Sequence, residues 1–112
     1  MTRNLAIDGD RLWSTIMASA EIGRGPKGGL RRLTLTDEDR QVRDLLSRWG
    51  KESGLAVTVD QIGNMFLRRE GREPDLPPVL IGSHLDTQPT GGRFDGILGV
   101  LGGLEVLRTL ND

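Results

Sequence analysis

The chain has 112 residues, 36% of them apolar and 28% charged, which suits one domain with a buried core and excludes a largely disordered polymer. With 15 basic and 16 acidic residues the net charge is −1, so no long-range field favours nucleic acid or an anionic membrane. Cysteine is absent, which removes disulfides, thiolate metal sites and a cysteine nucleophile, and leaves nitrogen and oxygen as the only donors for a metal.

Residues 1–12 carry charges throughout and lack the continuous apolar stretch of a secretory signal. No apolar run approaches the roughly 18 residues of a membrane span, so a cytoplasmic location is the default expectation. Over residues 9–20, Leu12, Trp13, Ile16, Met17 and Ala20 recur at helical spacing and predict a first helix with one buried face. Residues 22–30 then bring Gly23, Gly25, Pro26, Gly28 and Gly29, which read as a flexible linker. The stretch lacks the Lys-Ser/Thr ending and preceding strand of a phosphate-binding loop. The adjacent pairs Arg31-Arg32 and Arg68-Arg69 read as solvated surface charge.

Thr36 followed by Asp37, Glu38 and Asp39 marks a helix start, where a hydroxyl caps free amides and carboxylates meet the positive end of the dipole. The second helix is predicted to run to about Glu52, burying Val42, Leu45, Leu46 and Trp49 and stopping at Gly54. Residues 55–59 and 64–68 are β-favouring and flank Asp60-Gln61-Ile62-Gly63, a hairpin with Gly63 at positive φ. After a polar connection over residues 71–78, Val79-Leu80-Ile81 is the compact apolar run of a central strand covered on both faces. A last helix over residues 96–110 is apolar on most sides and contains Gly99, Gly102 and Gly103. Close packing must hold it, and it calls for more covering structure than 112 residues provide.

Chemistry concentrates in residues 82–96, GSHLDTQPTGGRFDG, which would sit outside the carboxyl end of that strand, where α/β sheets gather ligands. His84 is the only histidine, and alone it would more often be an ordinary structural residue. Asp86 lies two residues on, so in extended chain both side chains project to one side and the carboxylate can orient the imidazole as a metal ligand requires. Asp95 follows in a loop that Gly91, Gly92 and Gly96 allow to fold back toward the same point. Each carboxylate also has a plain alternative: Asp86 as a loop cap, and Asp95 as the N-cap of the last helix.

The strings GSHLDT, GGRFDG and LGVLGGLE, together with GGLRRL, the stretch from Asp39 to Trp49 and DQIGN, resemble the N-terminal region of zinc-dependent amidohydrolases of the hydantoinase/carbamoylase type. That family takes in N-carbamoyl-L-amino-acid hydrolases, ureidopropionases and allantoate amidohydrolases. The resemblance implies an α/β fold, with residues 1–112 forming a single partial catalytic domain, the incomplete N-terminal part of a di-zinc aminopeptidase-like domain. It further implies that His84 binds one metal, that Asp95 bridges two, and that Asp86 is the catalytic-site acid supporting His84. Gln88 hints at the carbamoyl-amino-acid or ureidopropionate branch. The cofactor implied is zinc or another divalent metal (manganese, cobalt or nickel), two per complete site. The reaction implied is hydrolysis of a linear amide or N-carbamoyl C–N bond in a small N-carbamoyl amino acid or ureido acid. The downstream glutamate pair, further histidines and the second, dimerisation domain of a homodimeric enzyme would lie beyond this sequence, so the 112 residues are expected to be inactive alone. The competing expectation, from a different class, is a non-catalytic interaction or structural module that keeps part of the hydrolase fold.

Overall fold

The computed structural model describes residues 4–112; residues 1–3 of the charged start lie outside the described residues. Helix α1, Gly9–Ser19, begins where the Asp8 side chain accepts from Arg11 N at 3.0 Å. Its inner face presents Ile16, buried, with Leu12 and Met17 packed beside it. Trp13, placed on that face by periodicity, is instead 56% exposed, because its ring turns sideways to meet Phe94.

Helix α2, Asp37–Glu52, starts at the predicted cap, with Thr36 Oγ1 accepting from Asp39 N at 3.3 Å and three acidic residues in the first turn. Val42 and Leu46 are buried while Leu45 and Trp49 are half-buried. The helix closes at Ser53, and Gly54 follows at φ 77°. The hairpin pairs β1, Ala56–Val59, antiparallel with β2, Met65–Arg68, in the register Ala56 to Arg68 through Val59 to Met65. Gly63 takes φ 92° in the turn. Arg43 ties α2 to that turn by donating to the Gly63 carbonyl at 2.8 Å, and Gly50 lets the helix approach Leu67 more closely than any larger residue would allow.

Helix α3, Ile97–Asn111, packs against α1 and supplies Ile97, Leu101 and Leu104 to a core shared with Ile16, Leu46 and Leu55. Each of these aliphatic side chains contributes about 1.5–3 kcal/mol by leaving water. Glu105 is the one acid inside this packing, 1% exposed. Arg11 grips it with Nε and Nη2, each at 2.7 Å, and Asp8 N and the Thr109 hydroxyl donate to the same carboxylate at 3.1 Å.

The Arg11 hydrogen bonds hold the Glu105 carboxyl below the usual glutamate range, against the opposing effect of burial. A carboxylate depressed in this way stabilises the folded chain fully above its unfolded value of about 4.3 and loses that contribution as pH falls through the folded value. We therefore expect urea-measured stability to decline on acidification below about pH 4.3. Glu105→Gln should lower stability at neutral pH and flatten that acid limb, whereas a variant with an unchanged acid limb would assign it to other carboxylates.

The predicted central strand is not formed. Val79, Leu80 and Ile81 pair with no strand among the described residues and are 91%, 79% and 58% exposed. A strand exists only through hydrogen bonds to a neighbour, and the two-stranded sheet is confined to β1 and β2. One side of this stretch is nonetheless seated on α3, where Gly103 leaves room for Ile81 and Gly99 for Ser83, their absent Cβ atoms falling 3.2 and 2.8 Å from those side chains. Gly99 and Gly103 thus serve the close packing expected of them, while Gly102 faces open space. The result is an incomplete α/β domain. No helix among the described residues is long and apolar enough to cross a membrane.

Candidate metal site

The segment following Ile81 is held from behind by the stretch read as a flexible linker, which is ordered. Leu30, 1% exposed, exchanges two backbone hydrogen bonds with Gly91, both 2.8 Å. One register further along, Thr87 N donates to the Arg32 carbonyl at 2.7 Å and Arg32 N to Thr87 Oγ1 at 2.9 Å. The glycines permit this approach: a Cβ on Gly29 would overlap the Gly91 carbonyl, and one on Gly25 would press on the backbone of Leu30. Two side chains from the far end of the loop complete the clamp. Arg93 Nε donates to the Gly28 carbonyl at 2.6 Å, and the Phe94 ring stacks on Trp13 with centroids 5.8 Å apart.

His84 and Asp86 lie together, but the shorter contact is to the Asp86 main chain, where the spacing predicts its carboxylate. Imidazole Nδ1 lies 2.9 Å from the Asp86 carbonyl oxygen and 3.3 Å from Asp86 Oδ1. A carbonyl only accepts, so this contact suits a ring with its hydrogen on Nδ1, the arrangement that would leave Nε2 for a metal. The imidazole lies against the backbone of Gly96, so closely that a Cβ there would overlap the ring atoms. Asp95 is the residue immediately before that contact. Its Oδ1 accepts from Gly96 N at 3.0 Å, while the N-cap position of α3 belongs to Gly96 and has no side-chain cap. The plain N-cap reading of Asp95 is therefore not what the chain adopts. Both members of the pair remain half-exposed, with side-chain exposures of 52% for His84 and 40% for Asp86.

The described residues contain no group of three or more histidine, cysteine or acidic side chains close enough to hold a metal. A hollow of about 600 Å³ is found elsewhere, lined by residues that include Arg11, Trp49, Glu52 and Arg108, and by none of residues 82–96. The imidazole and its neighbours thus stand on an open surface.

Two buried charges escaped the sequence reading. Arg32, taken as solvated, is 0% exposed: its Nη1 donates to the Ser19 and Ile22 carbonyls at 2.9 and 3.1 Å and its Nε to the Leu85 carbonyl at 3.0 Å. Burial lowers its pKa, against the pull of the Asp39 and Asp86 charges. No local signal separates it from exposed Arg31. Glu105 had one, a single acid at helical spacing from Leu101 on an otherwise apolar face.

No protein-family model matches the chain. It is similar to the N-carbamoyl-L-amino-acid amidohydrolase of Rhizobium meliloti, 57% identical over 109 residues that make up 97% of this chain and 26% of the relative. The N-carbamoyl-L-amino acid amidohydrolase of Geobacillus stearothermophilus is 48% identical over 95% of this chain and 26% of its own length. Among solved structures, a hydantoinase/carbamoylase family amidase from Burkholderia ambifaria superposes with a TM-score of 0.94 at 60% identity, over 96% of this chain and 26% of that one. The chain spans about a quarter of the length of the relatives it matches.

Proposed function

The chain belongs to the hydantoinase/carbamoylase family of amidases, and from that membership we propose that it carries the first metal-binding segment of a hydrolase for N-carbamoyl amino acids or ureido acids. The observation that supports this best is Nδ1 of His84 turned onto Asp86 while the ring abuts the backbone next to Asp95. His84 and Asp95 would hold the metal, with Asp95 shared between two ions in a complete site. Asp86 would orient the imidazole, as carboxylates behind metal-bound histidines do. A nitrogen and an oxygen donor suit zinc, and also manganese, cobalt or nickel. When bound, such an ion lowers the pKa of a coordinated water toward about 7 and polarises a carbonyl, which supplies hydrolysis without a serine or cysteine nucleophile.

One imidazole and one carboxylate fall short of the usual set of about three protein ligands plus water. The 112 residues are therefore proposed to bind metal weakly and to turn over no substrate alone. Residues beyond this sequence would supply the general base, the further ligands and the dimerisation domain of a homodimer. Calorimetric titration with zinc tests this reading. We expect a weak but measurable isotherm that His84→Ala abolishes; an isotherm unaltered by that substitution, or none in the parent chain, defeats the proposal. The uncovered Val79, Leu80 and Ile81 favour a second reading, an interaction module that binds through this apolar stretch, and it would stand if zinc does not bind.

A further inference from the structure

We propose that Arg32 is the positioning residue of the His84–Asp86 pair, its buried guanidinium fixing the peptide between the two side chains and hence the direction of the imidazole. The proposal rests on the metal-site reading given above for its consequence, and on geometry alone for its mechanism.

Leu85 is the residue between His84 and Asp86, and its carbonyl is taken by Arg32 Nε at 3.0 Å. The next residue but one is held by the same arginine through its main chain, Thr87 N donating to the Arg32 carbonyl at 2.7 Å and Arg32 N to Thr87 Oγ1 at 2.9 Å. Asp86 is therefore flanked on both sides by contacts to one residue. Its own carbonyl is the oxygen that Nδ1 of His84 meets at 2.9 Å, so rotation of the 85–87 backbone would carry the imidazole with it.

The other end of the guanidinium is anchored at the carbonyls of Ser19 and Ile22, at the C-terminal end of α1, where the helix dipole favours a cation. Arg32 thus transmits the position of α1 to the site loop. Three carbonyls approached from different directions call for a planar fork, which a lysine ammonium cannot reproduce at one point. Its complete burial also prevents water from taking over these bonds if the fork is lost.

The test compares Arg32→Lys with Leu46→Ala, a core truncation on α2 rather than on the helix that abuts His84, under conditions where both remain folded. Because His84 is the only histidine, its ring signals in a carbon–proton correlation spectrum are identifiable without assignment of the rest. At fixed pH and without metal, Arg32→Lys is expected to shift and broaden these signals while Leu46→Ala leaves them in place. Zinc affinity should fall about tenfold to a hundredfold in the lysine variant alone, the usual cost of losing an outer-shell partner. Equal shifts in both variants, or none in either, overturn the proposal. If the parent binds no zinc, the ring signals still decide the role of Arg32, so the two readings fail separately. Should Arg32→Lys not fold, exchange of the Arg32 Nε proton in the parent decides instead: protection well above that of exposed Arg24 is expected, and exchange at the same rate overturns the proposal.

Discussion

Gly96→Ala is expected to cost about 1–3 kcal/mol of folding stability and to abolish zinc binding. Gly96 adopts φ 48° and ψ −53°, a backbone conformation that a side chain disfavours, and the added methyl would occupy the space of the His84 imidazole. The ring would have to swing outward, which breaks its contact with Asp86. Gly102→Ala in the same helix is the matched control. Nothing lies within 4 Å of a Cβ there, and alanine in a helix interior is favoured over glycine by about 0.5–1 kcal/mol. The same chemical change should thus destabilise at one end of α3 and stabilise in its middle. Urea unfolding together with zinc calorimetry measures both, and a tolerated Gly96→Ala with intact binding would falsify the placement of His84 against α3.

The second large effect expected is on association state. Val79, Leu80 and Ile81 present unpaired backbone and apolar side chains, with Leu98 and Leu110 on α3 also 49% and 45% exposed. An uncovered apolar edge of this kind is a template for pairing with another copy. Sedimentation velocity is expected to show concentration-dependent oligomers, and the double substitution Val79→Lys with Leu80→Lys should return the chain to monomer by placing charge on that edge. A monodisperse parent with a cooperative melt would mean that the stretch is covered in some other way.

Features written in short-range chemistry were readable from the sequence. Thr36 and the acids after it specify the start of α2 within one turn, Gly63 and its neighbours specify the hairpin, and the two-residue spacing of His84 and Asp86 specifies their contact. What could not be read depends on partners distant along the chain or missing from it. Arg32 is buried by carbonyls 10, 13 and 53 residues away, so nothing adjacent marks it as different from Arg31. The glycines of residues 22–30 signal a break in regular structure, but only the backbone opposite them, Gly91 for Gly29, Leu30 for Gly25 and Arg31 for Gly23, shows that these three serve close approach. Val79, Leu80 and Ile81 have the composition of a covered strand, yet a ladder needs neighbours that the described chain does not supply. Asp95 occupies an intermediate case: its loop was expected to return to His84, but the contact is made by the backbone of Gly96, through which the ring is approached.

The stacking of Trp13 on Phe94 gives the molecule a native optical reporter. Phe94 directly precedes Asp95, and the only other tryptophan, Trp49 on α2, lies under Arg108 of α3. Excitation of an otherwise unlabelled Trp49→Phe protein would isolate emission from the indole beside the loop that carries Asp95, so that displacement of the loop becomes visible as a change in colour and intensity without any attached dye.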